Sequence, residues 1–177
     1  MSPAVVIFIT LIFSAFFSGM EMAFVSSNRL KIELDRKHKL FASRIVSIFY
    51  NNPGYFIATM LVGNNVALVV YGIVVARMLE PFLTNQLLIT NEIAILIIQT
   101  IVGTIVILIT AEFLPKTIFR SRPNIALNIF SVPVLFFYII LYPVTMFILV
   151  ITNFIMRYFI GIRVRMRGEN LNPVFGK

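Results

Sequence analysis

Ile93-Ala94-Ile95-Leu96-Ile97-Ile98-Gln99-Thr100-Ile101-Val102-Gly103-Thr104-Ile105-Val106-Ile107-Leu108-Ile109-Thr110-Ala111, followed at once by Glu112-Phe113-Leu114-Pro115-Lys116, carries no charge before its glutamate. As a helix it is about 30 Å long, enough to cross a hydrocarbon core once. Two further charge-free runs of similar reach occupy the windows 4–25 (uncharged as far as Glu21) and 54–76. The whole chain of 177 residues is 59% hydrophobic and 12% charged, with mean hydropathy +0.96. Soluble domains do not have that balance, so the expected solvent is lipid and the fold an all-α integral membrane protein with three transmembrane helices. The first run follows only Met1-Ser2-Pro3, without a basic stretch, and is expected to be a retained helix rather than a cleaved signal.

Charge sets the expected topology. The net charge of +8 sits in short clusters between apolar runs, a pattern for anionic headgroups rather than nucleic acid. Between the first two crossings Arg29, Lys31, Arg36, Lys37, Lys39 and Arg44 outnumber Glu33 and Asp35, whereas the loop from Arg77 to Glu92 holds one base and two acids. The positive-inside rule then predicts residues 26–52 in the cytoplasm, the N-terminus outside and a multi-pass protein of the cell (inner) membrane. Leu30, Ile32 and Leu34 alternate with charges, and Phe41, Ile45, Ile48 and Phe49 recur at helical spacing, so two short amphipathic juxtamembrane helices are expected after the first crossing. His38 reads as a solvated member of the first.

A fourth apolar segment, Pro123 to Met156, is basic at both ends, with Lys116, Arg120 and Arg122 before it and Arg157, Arg163, Arg165 and Arg167 after it. Both ends then belong in the cytoplasm. Pro133 and Pro143 each remove a backbone donor and clash with the preceding turn, so the segment is expected to break into re-entrant or interfacial belt helices. A proline-kinked fourth crossing with the C-terminus outside is the alternative. Residues 1–160 form the expected transmembrane domain, and the polar stretch 161–177 the start of a linker.

The chemistry-bearing residues are few. The chain has no cysteine and one histidine, so disulfides, thiol nucleophiles and zinc sites fall away, and no Ser/His pair or aspartate pair suggests an enzyme. Ser18 and Glu21 share a face at the end of the first crossing, beside Gly19, which permits close approach of another backbone. Gly63, Asn64 and Asn65 open the second crossing; the two amides point about 100° apart, so one face presents only one of them squarely. At the end of the third, Pro115 has no N–H for the Ala111 carbonyl, which is left free beside the Glu112 carboxylate. Ser18, Asn64 and Glu112 then fall at matching depth in the cytoplasmic half of the membrane. A carboxylate, an amide oxygen, a hydroxyl and a carbonyl make a hard-oxygen set for Mg²⁺ or Ca²⁺. The plainer readings stand beside it: Ser18 and the amides as interhelical hydrogen bonds, Glu112 as a headgroup-level partner of Lys116 at i+4, and Gln99, Gly103 and Thr104 as packing residues rather than an upper path.

Phe17-Ser18-Gly19-Met20-Glu21-Met22-Ala23, Asn52-Pro53, Gly63-Asn64-Asn65 and Glu112-Phe113-Leu114-Pro115-Lys116, in this order, resemble the transmembrane domain of the CorC/cyclin-M (CNNM) family of magnesium transporters. The resemblance implies a homodimer of three-crossing subunits with a membrane-embedded belt. It implies one dehydrated Mg²⁺ per subunit on the residues standing here as Ser18, Asn64 or Asn65, and Glu112, with export coupled to Na⁺. It also implies cytoplasmic cystathionine-β-synthase-type (CBS) domains, which bind ATP, after residue 177. Two departures bear on the ion: Ala111 replaces a frequent glycine, and Leu68 stands where a further asparagine is common. A non-transporting membrane scaffold of the same fold is the rival reading.

Overall fold

The computed structural model describes residues 2–28, 30–32, 34, 41–85, 87, 88 and 91–159, without the side chains at 157 and 159. Most of the first juxtamembrane helix, its histidine and the tail 161–177 lie outside the described residues. Helix α1 (Pro3–Ser26) opens on a proline at its first position, where a missing N–H costs nothing. It ends where Ser27 turns extended and returns both its N–H (3.4 Å) and its hydroxyl (2.6 Å) to the Phe24 carbonyl. The amphipathic α2 (Phe41–Asn51) follows and buries Ser43, Ile45, Val46 and Phe49.

The second span is longer than its apolar run. Helix α3 covers Pro53–Asn85, past Arg77 and through an internal Pro81, because Arg77, Met78, Leu79 and Glu80 are good helix formers and Pro81 forfeits one bond among many. Helix α4 (Glu92–Ile107) starts at an Asn91 cap whose side chain accepts from the N–H groups of Ile93 (3.0 Å) and Ala94 (3.3 Å). It passes into a π-helical turn over Leu108–Phe113 and on into α5 (Leu114–Ser121), so the third span runs from Glu92 to Ser121.

Among the described residues three helices are therefore long and apolar enough to cross a membrane. The rest is broken as its prolines predict. Helices α6 (Pro123–Ile129) and α7 (Ser131–Ile140) meet at an angle of 67°, and α8 (Tyr142–Phe159) follows a turn at Leu141. Each break falls just ahead of a proline, since Pro133 and Pro143 have no N–H for the carbonyls of Ile129 and Ile139. The expected Pro-broken segment after the third helix is thus present, and no strand occurs among the described residues.

Helix α1 packs most extensively on α3 and also against α5, the π turn and α6. Between them lies an aromatic core. Phe24 stacks on Tyr50 (4.7 Å between centroids) and Phe56 (4.3 Å), and Phe17 meets Phe137 edge to face at 5.0 Å. Dispersion rather than water exclusion holds such contacts together in lipid, so shape matching decides which helices associate. Helix α8 is tied to α3 by the Tyr55 hydroxyl donating to the Tyr142 carbonyl at 3.0 Å and by Thr59 Oγ1 bonding Thr145 Oγ1 at 3.3 Å.

Candidate cation site

Small and polar residues at four-residue spacing put one oxygen-bearing face of α1 against α3. Ser14 and Ser18 are one turn apart on it, 1% and 0% exposed. The Ser14 hydroxyl donates to Asn64 Oδ1 at 2.6 Å, and Asn64 is itself buried. The Ser18 hydroxyl, one turn further on, has no hydrogen-bond partner among the described residues. An orphaned hydroxyl in an apolar interior costs about 1–3 kcal/mol, so its place requires an explanation. Asn65 points elsewhere and is exposed, which settles the choice between the two adjacent amides: Asn64 faces the bundle and Asn65 does not.

Two glycines allow this close approach, through rings rather than backbones. A Cβ on Gly63 would lie 2.6 Å from the Phe17 ring, and one on Gly19 would lie 2.7 Å from the Phe119 ring. The expectation that Gly19 admits another backbone is therefore corrected: it admits an aromatic side chain from α5. Phe17, between Ser14 and Ser18 in sequence, uses the Gly63 notch to bring α1 down onto α3 beside Asn64.

The π turn supplies the other wall. It packs against α1 and buries Ala111 completely, while its closing N–H, from Leu114, returns to Ile109 five residues back. Pro115, buried at the start of α5, gives the Ala111 carbonyl no N–H. The wide turn rotates the following residues by a fraction of a turn relative to an α-helix, which is why such turns collect at functional sites. Glu112 is partly exposed and pairs with Lys116 at i+4, Nζ to Oε2 at 3.9 Å. Glu21 lies near enough to interact electrostatically with both Lys116 and Glu112. The supporting residues Glu21, Pro115 and Lys116 thus gather at one end of the α1–α5 contact.

No cluster of three His, Cys, Asp or Glu side chains suited to a metal occurs among the described residues. Any cation here must rely on neutral oxygens with one or two carboxylates, a donor set for a hard ion. Gln99, Gly103 and Thr104 lie apart from this set. With Tyr71 and Ile107 they line a cavity of about 300 Å³ between α3 and α4, where Gln99 Nε2 donates to the Ala76 carbonyl at 3.2 Å. Ser14 is the residue that the sequence reading missed; its signal was the four-residue spacing to Ser18 in an otherwise apolar helix.

Comparison with known proteins agrees with this architecture. The family profile described as the Cyclin M transmembrane N-terminal domain matches residues 5–172. The UPF0053 protein MG146 of Mycoplasma genitalium is 29% identical over 114 residues, 64% of this chain and 26% of that protein. Its homolog in Mycoplasma pneumoniae is 29% identical over 136 residues, 75% of this chain and 31% of that protein. The chain thus spans only about a quarter to a third of the length of these curated relatives. Three apolar spans, the proline-broken segment and the match over nearly its full length place this chain in the cyclin-M family, as that family's transmembrane N-terminal domain.

Proposed function

We propose that this chain is the membrane domain of a divalent-cation transporter with Mg²⁺ as its cargo, exporting the ion in exchange for Na⁺. The observation that carries the reading is the buried Ser18 hydroxyl, without a hydrogen-bond partner among the described residues, one turn from the Ser14–Asn64 pair, on the helix that packs against the π turn bearing Ala111 and Glu112. An ion taken from water into a site of low dielectric loses hydration that only fixed oxygens and a countercharge replace. Glu112 supplies the charge, and Ser18, Asn64 and the Ala111 carbonyl supply oxygens. Binding the ion draws Glu112 away from Lys116. The protein works as a homodimer in the cell membrane, with its N-terminus outside, its C-terminus cytoplasmic and ATP-binding CBS-type domains beyond residue 177.

A second reading has its own support. The Asn64 oxygen already accepts from Ser14, and Glu112 already has Lys116, which is how a scaffold of the same fold satisfies its polar groups. Calorimetry of Mg²⁺ binding to the purified protein, with Ca²⁺ as competitor, separates the two. Saturable binding lost in Glu112→Gln and Asn64→Ala is the expected result for a transporter; no binding at millimolar Mg²⁺ assigns the scaffold.

A further inference from the structure

The cavity of about 300 Å³ between α3 and α4 is polar where its surroundings are not. It follows α4 from Leu96 to Ile107, about 16 Å of helix, and ends where the π turn that carries Ala111 begins. The neighbouring Ile101, Val102, Ile105 and Val106 are exposed and apolar. Inside the cavity stand Gln99, 9% exposed with its Nε2 on the Ala76 carbonyl, and the Tyr71 hydroxyl, which reaches the Gly103 carbonyl only at 3.4 Å, long for such a bond.

Thr104 is a second, independent sign. Thr10, Thr59, Thr100, Thr110, Thr117 and Thr152 all return the hydroxyl to the carbonyl four residues back, which satisfies it without water. The Thr104 hydroxyl lines the cavity and forms no hydrogen bond to any described residue. Two glycines leave the space open. Among the described residues a Cβ on Gly72 would meet nothing within 4 Å, and one on Gly103 only Val75 at 3.6 Å and Tyr71 at 3.9 Å, ordinary contacts. Packing within this chain requires neither glycine, although each weakens its helix.

An apolar cavity stays dry, whereas one with convergent hydroxyl and amide groups takes water, and this volume holds about ten molecules at about 30 Å³ each. That exceeds the hydration shell of an octahedral Mg²⁺. No carboxylate and no basic side chain lines the cavity, so a dehydrated divalent ion finds no countercharge there and a hydrated one is neither trapped nor repelled. In a chain with three crossings, the start of α4 lies on the same side of the membrane as the start of α1.

We propose that this cavity is a water-filled vestibule for hydrated cations, reached from the N-terminal side of the membrane and in series with the candidate site at Ser18, Asn64 and Glu112. An ion released from those oxygens regains its water there. The identity of the cargo rests on the transport reading above; the water in the cavity and the side of access do not.

The chain has no cysteine, so single cysteines report directly. Thr104→Cys and Gly72→Cys, with Ile105→Cys as an exposed apolar control at the same depth, are placed in the full-length protein in sealed membrane vesicles of each orientation. The probe is trimethylammonium-ethyl methanethiosulfonate, an impermeant cation that reacts with the thiolate and hence with a thiol in water. The expected result is modification of both cavity thiols at least tenfold faster than the control from the N-terminal side, and no faster than the control from the other. Gly72→Leu, which fills the cavity, is expected to keep its Mg²⁺ affinity in calorimetry while Mg²⁺ flux in proteoliposomes falls at least tenfold. A Thr104→Cys thiol as slow as the control, because acyl chains or a second copy occupy the space, overturns the proposal. So do modification from the opposite side alone and undiminished flux in Gly72→Leu. Fast modification in a protein that binds no Mg²⁺ sinks the transport reading and leaves the vestibule. Mg²⁺ binding with an unreactive Thr104→Cys sinks this inference alone.

Discussion

Substituting Gly63 with alanine tests whether the Phe17 notch sets the distance between α1 and α3. The new methyl carbon would lie 2.6 Å from Cε1 and Cζ of Phe17, about 1 Å inside the ordinary contact of carbon atoms. The ring cannot swing aside: it is 4% exposed and wedged edge-on against Phe137 at 5.0 Å and Phe16 at 5.5 Å. Overpacking of this kind costs about 1–3 kcal/mol. Taking about 2 kcal/mol, the folded-to-unfolded ratio falls roughly thirtyfold. The helices must separate beside Asn64, so the 2.6 Å bond from Ser14 lengthens as well. The assay is the midpoint of heat-induced loss of the monodisperse peak in detergent chromatography, for Gly63→Ala, Phe17→Leu and the double variant. Phe17→Leu removes the atoms in conflict, so the double variant is expected to be more stable than the sum of the single losses. A Gly63→Ala protein as stable as its parent, or strictly additive losses in the double variant, would refute the reasoning.

Three further outcomes follow from the same geometry. Ser18→Ala removes a buried hydroxyl that has no partner among the described residues, so thermal stability is expected to hold or rise while Mg²⁺ affinity falls by tenfold or more; calorimetry and the thermal assay together read that split. Ser14→Ala leaves the Asn64 oxygen without its donor and is expected to lower stability by about 0.6–1.7 kcal/mol, the span measured for interhelical hydrogen bonds in membranes. Tyr55→Phe deletes the bond to the Tyr142 carbonyl and leaves only the Thr59–Thr145 bond of the two that tie α8 to α3, which amide hydrogen exchange is expected to show as faster exchange over 142–156 with α1 unchanged.

Much of this was legible in the chain. Membrane class, three spans and the broken segment after the third follow from charge-free runs and prolines, because backbone hydrogen bonding in lipid leaves little besides helices. The lengths were read less well. The second span runs on to Asn85 and the third to Ser121 because helix propensity continues where hydrophobicity stops, and hydropathy reports only the latter. Of the candidate residues, Ser18, Asn64 and Ala111 are buried, Glu112 is partly exposed and Asn65 faces out.

By itself the sequence determined the solvent, the number of long spans, the places where prolines interrupt helices and the family. Each of these depends on short-range properties of the chain: transfer free energy, backbone donors and the order of local motifs. Only the tertiary structure decided that Asn64 and not Asn65 faces the bundle, that Ser14 caps the Asn64 oxygen, that Ser18 has no hydrogen-bond partner among the described residues, and that the third span widens into a π turn at Ala111. Those are matters of which helix lies opposite and how closely. They depend on Phe17 entering the notch at Gly63 and Phe119 the notch at Gly19, contacts between residues far apart in the chain that no local pattern encodes.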